Sequence, residues 1–341
     1  MNNDSILKKE DPIGHLFVAS THDWLLFFTT RGKVYWRKVY DLPQLGRDSR
    51  GRAIVNLLNL AEGEQVADCR AVRDFDQPGH YLVMATSRGL VKKTDLAAYR
   101  RPMRSGIIAI KLREGDELVD VVVTTEADEL MLSTSRGMAI RFQESTIRPV
   151  ARNSFGVKGI KLIGSDYVVG MVVADPDGYL LTACANGYGK RTPFGPNVGA
   201  TPQDVPDEEM HEDHEDAEDL PGGEENGDEN GDENGDENGE NLTSQHCYRA
   251  QHRGGKGLRD IKTTKRNGPV VGAVRVRDDD ELMMITARGK IQRIAAADIS
   301  IVGRNTQGVR IMTLDDGDTL VAVKRVPSEE NGEKNGNGAE G

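Results

Sequence analysis

The chain has 341 residues, with 44 Lys+Arg against 55 Asp+Glu, 37% hydrophobic and 5% aromatic residues, 38 glycines and three cysteines. No run of about 18 apolar residues occurs, which excludes a membrane-spanning helix, and Cys69, Cys184 and Cys247 lie too far apart for a C-x-x-C zinc site or a disulfide framework, which points to a reducing cytoplasm. The formal charge of −11 is a composite: residues 201–245 hold 19 acidic residues and no basic one, residues 327–341 contribute −3, and the remainder stands at +11, a balance suited to a polyanion partner.

Residues 1–10 are polar and charged, lack an apolar signal-peptide core, and read as a disordered start to a domain spanning 11–326. A strand-like run at 15–20 reads as the remnant of a repeat. Five hairpin segments follow: LLFFTTRGKV at 25–34, LVMATSRGLV at 82–91, LMLSTSRGMA at 130–139, LLTACANGYG at 180–189 and LMMITARGKI at 282–291. In each, apolar runs flank a small polar turn whose glycine supplies the positive φ of a tight hairpin. A second motif, glycine and then usually leucine six residues later, recurs as Gly51/Leu57, Gly106/Leu112, Gly156/Leu162, Gly257/Thr263 and Gly308/Leu314. Its alternation reads as strand. A glycine–acid turn (Gly63-Glu64, Gly115-Asp116, Gly317-Asp318) then leads to a further apolar stretch. The hairpin glycines Gly32, Gly89, Gly137, Gly187 and Gly289 are 57, 48, 50 and 102 residues apart, and the last interval falls to 57 without the 45-residue acidic segment. Four strands per repeat of this length predict an all-β, propeller-like ring, with a β-solenoid as the competing architecture.

The acidic segment 201–245 carries a period-four G-D-E-N run, and it is predicted to be a disordered insert, as is the tail at 327–341. His211 and His214 lie among carboxylates, but the run lacks the calcium-loop spacing and no metal site is assigned. The insert could instead act as a polyanion that competes for a basic surface.

Arginines recur at one hairpin-tip position: Arg31, Arg88, Arg136 and Arg288. Basic residues follow them at Lys33, Lys92, Lys93, Arg141, Lys190, Arg191, Lys290 and Arg293. A recurring array of this kind can track a phosphate backbone without reading bases. In the loop Gln251, His252, Arg253, Gly254, Gly255, Lys256 and Gly257, the glycines let amides approach phosphate oxygens while Arg253 and Lys256 supply charge. The nucleotide-binding P-loop pattern is not met, because Gly257 follows Lys256. Arg50, Arg52, Arg104, Lys158 and Arg259 complete the candidate DNA contacts. No nucleophile–base–acid constellation stands out, so no catalytic residue is assigned.

The segments THDWLLFFTTRGKVY (21–35), RGRAIVNL (50–57), NGYGKRT (186–192), RNGPVVG (266–272) and SIVGRNTQG (300–308), in this order, resemble the C-terminal DNA-wrapping domain of DNA gyrase A, a type IIA topoisomerase component, across 11–326 apart from the insert. The resemblance implies a six-bladed β-pinwheel disc around whose rim double-stranded DNA is wrapped for supercoiling. It also implies a bacterial, chromosome-associated setting and two partners: the N-terminal cleavage region of gyrase A, which carries the DNA-cleaving tyrosine, and gyrase B, through which alone ATP and Mg would enter. The family's basic heptad, Q-R-R-G-G-K-G, belongs to the first blade. Here Q-H-R-G-G-K-G stands at 251–257, in the fourth complete repeat, so the chain is expected to begin inside an incomplete first blade. The corresponding C-terminal domain of topoisomerase IV, binding DNA for decatenation, is the related alternative, and a protein-interaction propeller without a DNA role is the unrelated one.

Overall fold

The computed structural model describes residues 19–44, 53–196 and 247–326, chiefly as short antiparallel strands. The first sheet joins β1 (Trp24–Thr29), β2 (Lys33–Lys38), β3 (Val66–Val72) and β6 (Ile107–Ile108) in the order β3-β1-β2-β6. The second joins β4 (His80–Thr86), β5 (Leu90–Asp95), β7 (Leu118–Thr125) and β10 (Val157–Lys158) as β7-β4-β5-β10. The third runs β11-β8-β9-β14, with β8 (Glu129–Thr134), β9 (Met138–Gln143), β11 (Val168–Val173) and β14 (Leu258–Arg259). The fourth runs β15-β12-β13-β18, with β12 (Tyr179–Cys184), β13 (Tyr188–Pro193), β15 (Val270–Val276) and β18 (Val309–Arg310). The fifth has three strands, β17 (Ile291–Ala295), β16 (Glu281–Thr286) and β19 (Leu320–Val326), in that order. These separate antiparallel sheets are the blades of a propeller, and they exclude the solenoid.

Alternation along each central strand divides the core into layers between blades. Leu82 and Met84 pack with Leu26, Phe28 and Val34 of the first blade, while Val83 and Ala85 pack with Leu130 and Leu132 of the third. Met131 joins Leu180, and Leu181 and Ala183 join Leu282 and Met284. Both faces of β1, β4, β8 and β12 are covered, which is why these strands read as continuous apolar runs. The edge strands β3, β7, β11, β15 and β19 pack in succession and so lie toward the axis, and the opposite sheet edges form the rim. Among the described residues, β19 and β3 do not pack on each other in this way.

Two expectations are corrected. Five blades are present among the described residues, not six, and the three-stranded one is the fifth; the incomplete first blade expected ahead of Leu25 falls largely outside the described residues. The glycine–leucine motif does not build the fourth strand of its own repeat: only two residues of it pair, and they pair with the preceding blade, as in Lys33↔Ile108 and Met138↔Arg259. The first copy, at 51–57, has no preceding sheet among the described residues, and Ile54–Asn56 forms a 3-10 turn. Residues 15–18 and 201–245 lie outside the described residues, and Ser20 is not in a strand.

This exchange explains the hairpin glycines. The Gly137 carbonyl accepts the amides of Asp260 at 2.9 Å and Ile261 at 3.2 Å as the chain crosses from the fourth repeat, and a Cβ on Gly137 would stand 2.1 Å from the Ile261 oxygen. Gly32, Gly89 and Gly187 receive crossing strands in the same way. Four of the five turns are tied by a threonine: Thr29, Thr86, Thr134 and Thr286 accept from the amide four residues on, at 3.1–3.2 Å. In the fourth blade Cys184 takes that place.

Candidate nucleic-acid interface

Arg31, Arg88, Arg136 and Arg288 are exposed and occupy equivalent tips, so the repeat places them on one face of the disc. Each lies against the glycine–acid turn of its own repeat. Arg31 donates to the Glu62 carbonyl at 2.6 Å, Arg136 to Ser165 Oγ at 2.8 Å and Arg288 to the Asp316 carbonyl at 2.8 Å. The amides of Arg88, Arg136 and Arg288 are held by the carboxylates of Asp116, Asp166 and Asp318 at 3.0–3.1 Å. These tips therefore carry arginine beside carboxylate, which weakens the outward field. Lys290 and Arg293 are likewise paired, with Asp315 at 3.4 Å and with Glu281. Lys33 is half-buried and Arg104 exposed, whereas Arg50 and Arg52 fall outside the described residues.

Lys92, Lys93, Arg141, Lys190 and Arg191 were expected at the DNA surface, and they are buried instead. They stand at the third or fourth position after the hairpin glycine, facing the loop that arrives from the next repeat. That loop lacks regular structure, so its carbonyls need donors. Arg141 donates to the carbonyls of Phe194 (2.5 Å), Tyr248 (2.9 Å) and Pro196 (3.1 Å) and pairs with Glu129. Arg191 donates to the Ile299 carbonyl at 2.7 Å, with its guanidinium 4.8 Å from the Tyr179 ring centroid. Lys93 pairs with Glu144 at 2.6 Å and sits 3.9 Å over the Tyr81 ring. Lys190 pairs with Asp260 at 3.1 Å and donates to the Gly303 carbonyl at 2.8 Å. Lys92 has only carbonyls, those of Ala109 (2.6 Å) and Arg152, and burial, reinforced by the Arg152 charge, pushes its ammonium down to about 7. These cations lock neighbouring blades together and are withdrawn from the surface.

The heptad is also partly absorbed into the fold. The Gln251 amide donates to the Arg141 carbonyl at 2.7 Å and the Gly254 amide to Gly159 at 2.8 Å, while Arg253 donates to the Lys158 carbonyl. Gly257 has φ +82°, and a Cβ there would meet the Ala139 oxygen at 2.6 Å. Gly257 thus serves close packing between blades, and the Gly254 amide, expected to face phosphate, is taken up by Gly159. His252 and Lys256 remain exposed and Gly255 stands at the surface.

Positive charge in excess of carboxylate gathers on the third and fourth blades, where the Arg136 tip is joined by further cations. Arg136, Lys161, Lys256 and Arg259 line one groove of about 250 Å³ with Thr134, Thr263 and the single carboxylate of Asp166. Lys158, Arg259 and Arg310 occupy one position on successive rim strands and are exposed. Lys111, Lys161 and Lys262 form a second exposed row directly after the crossing strands, where their amides bond to the Ser154, Gly255 and Thr306 carbonyls at 2.8–3.0 Å. This row was not among the residues expected at the surface, although Ile-Lys recurs at 110–111, 160–161 and 261–262. Nor were Lys265 and Arg266, which replace the acidic turn in the fourth repeat. Such a surface can hold a polyanion through charge alone. Among the described residues there is no cluster of metal-ligating side chains and no helix long and apolar enough to cross a membrane.

A family model described as DNA gyrase C-terminal domain, beta-propeller, matches residues 23–73, 80–125, 128–175, 248–277 and 280–327, five stretches that correspond to the five hairpin repeats. The DNA gyrase A protein of Salmonella typhimurium is 39% identical over 320 residues, covering 94% of this chain and 30% of that protein. The gyrase A of Mycolicibacterium smegmatis is 37% identical over 326 residues, covering 95% and 32%, and that of Haloquadratum walsbyi 36% over 326 residues, covering 94% and 32%. The chain thus spans about a third of the length of these relatives. A solved DNA gyrase A C-terminal domain shares the fold with a TM-score of 0.66 at 24% identity, over 90% of this chain and 84% of that one. The C-terminal domain of a DNA topoisomerase IV does so with a TM-score of 0.69 at 24% identity, over 92% and 82%.

Proposed function

The chain belongs to the DNA gyrase C-terminal domain family, and on that premise we propose that it binds double-stranded DNA without reading its bases and bends it along the third and fourth blades. The observation that carries this reading is the groove of Arg136, Lys161, Lys256 and Arg259, continuous with the exposed rim cations, against one carboxylate. Contacts to phosphate position a duplex but carry no sequence information, and no recognition helix or groove-entering ribbon is needed. Bending a site of 20–30 base pairs costs on the order of 1–6 kcal/mol, which a row of phosphate contacts can offset.

In this reading the chain acts as the DNA-wrapping part of a gyrase A protein and supports supercoiling by an assembly in the cytoplasm, at the chromosome. The cleavage region of gyrase A and the whole of gyrase B are the partners, and ATP and Mg belong to the latter. DNA binding for decatenation is the second reading, drawn from the fold shared with topoisomerase IV. The gyrase relatives favour the first.

Two linear duplexes of unrelated sequence should bind with equal affinity. That affinity should fall by about 0.9 log unit per phosphate contact per log unit of salt. An affinity that ignored salt, or a strong preference for one sequence, would contradict the reading.

A further inference from the structure

The fourth-blade tip departs from the others. Asn186 stands where the other tips have arginine, and the following turn reads Lys265-Arg266-Asn267-Gly268 in place of glycine and acid. Asn186 Nδ2 donates to the carbonyls of Lys265 and Arg266, both at 3.1 Å. The buried Asn267 donates to the Lys262 and Gln307 carbonyls at 3.0 Å and accepts from the Thr264 amide at 2.7 Å, so the turn is fixed at both ends. The guanidinium of Arg266 is thereby brought to 5.0 Å from the Tyr188 ring centroid. That of Arg310, the cross-strand neighbour of Tyr188, lies at 5.4 Å and donates to Tyr188 Oη at 3.0 Å.

We propose that Arg266 and Arg310, stacked on Tyr188, clamp one phosphate of the duplex backbone. Two guanidiniums held at one ring repel each other. The negative face of the ring offsets part of that repulsion, and an oxyanion between them would remove it. Neither arginine is ion-paired among the described residues, and both are exposed. Each guanidinium has five N–H donors, few of which are used internally, so a tetrahedral oxyanion can be met from two sides. The fold fixes both arginines before any ligand arrives, which limits the entropy lost on binding. The two charges also draw the Tyr188 phenol below its usual range, Arg266 and Arg310 acting chiefly through hydrogen bonds. The clamp rests on the duplex-binding reading, and it adjoins the groove cations of the third blade, so a backbone phosphate is favoured over a free anion.

The test uses the whole chain and fluorescence anisotropy of a linear duplex between about 50 and 200 mM salt. Arg266→Ala/Arg310→Ala should bind roughly tenfold more weakly and lose about 0.9 from the salt slope, the share of one phosphate. Arg266→Lys/Arg310→Lys keeps the charge without the planar fork and should fall between the two; it carries the test if the alanine pair fails to fold. Tyr188→Phe, which keeps the ring, should bind within about twofold of the wild type while losing the low-titrating phenol in an ultraviolet pH titration. Wild-type binding with an unchanged affinity and slope in both double variants overturns the clamp but not the DNA reading. No wild-type binding overturns both. Inorganic phosphate raising the Tyr188 titration midpoint while the duplex does not would also overturn it, in favour of a free-anion site.

Discussion

In the second blade Arg88 lies beside Asp116, and Lys92 is buried among carbonyls; in the fourth blade Asn186 holds a basic turn, and the equivalent Lys190 is buried against Asp260. The backbones are alike, with the same hairpin, the same positive-φ glycine and the same crossing strand. The charges are arranged in opposite ways. In the second blade the surface arginine stands on an acidic turn, where Asp116 holds its amide, and the buried Lys92 has only carbonyl partners. In the fourth the buried cation is neutralised, and the surface ones, Lys265, Arg266 and Arg310, have no ion pair among the described residues. A basic residue at a given repeat position therefore says little about available charge until its partners are known.

Methionine substitutions break this comparison most forcefully. Lys190→Met leaves the Asp260 carboxylate buried, with only Thr182 and Tyr248 donating to it at 2.6 Å, and should cost about 3–5 kcal/mol in denaturant unfolding. Lys92→Met removes a buried ammonium that has no carboxylate, and should leave stability unchanged or raise it by about 1 kcal/mol at neutral pH. Equal losses in both would mean that the two lysines are equivalent.

The pH dependence sharpens the same contrast. Lys92 is pushed down to about 7 in the folded chain from 10.5, so between those values the unfolded chain holds the extra proton. Its unfavourable contribution is full below about 7 and fades as the pH rises toward 10, by on the order of a few kcal/mol. Stability in Lys92→Met should lack this rise. Asp68 titrates in the opposite sense: burial, with Asp120 nearby, raises it to about 7 from 3.8, so stability is lost as the pH climbs through that interval. Asp68→Asn should flatten that limb of the unfolding curve.

A smaller effect is expected at the second-blade tip. Asp116 accepts from Ser87 Oγ and from the Arg88 and Glu117 amides, each at 3.0 Å. Asp116→Ala should cost about 1–2 kcal/mol of stability. It should also raise duplex affinity by roughly twofold, because one carboxylate leaves the neighbourhood of Arg88.

Much of the ring was legible in the sequence. The glycines at 32, 89, 137, 187 and 289 marked every hairpin, because a crossing strand leaves room for nothing larger at four of them. The exchange of strands was not legible: a two-residue pairing such as Val157–Lys158 has the same alternation whichever blade it joins. The site was half legible. Lys256 and Arg259, candidates from the sequence, line the groove. Lys92, Lys93, Arg141, Lys190 and Arg191 look identical to surface cations in a one-dimensional reading, since their partners, such as Glu144 or the Phe194 carbonyl, lie about fifty residues away. Arg266 was hidden because its turn breaks the repeat rather than following it.

If the groove and rim cations grip the duplex while the tips of the first two blades stand off it, the salt dependence of binding must divide the basic residues into two groups. Lys256→Ala/Arg259→Ala should lower the slope by about 1.8, two phosphates' worth, and Arg31→Ala/Arg88→Ala should leave it nearly unchanged. Equal losses in the two pairs, or a loss confined to the tip arginines, would contradict that division and the DNA path drawn from it.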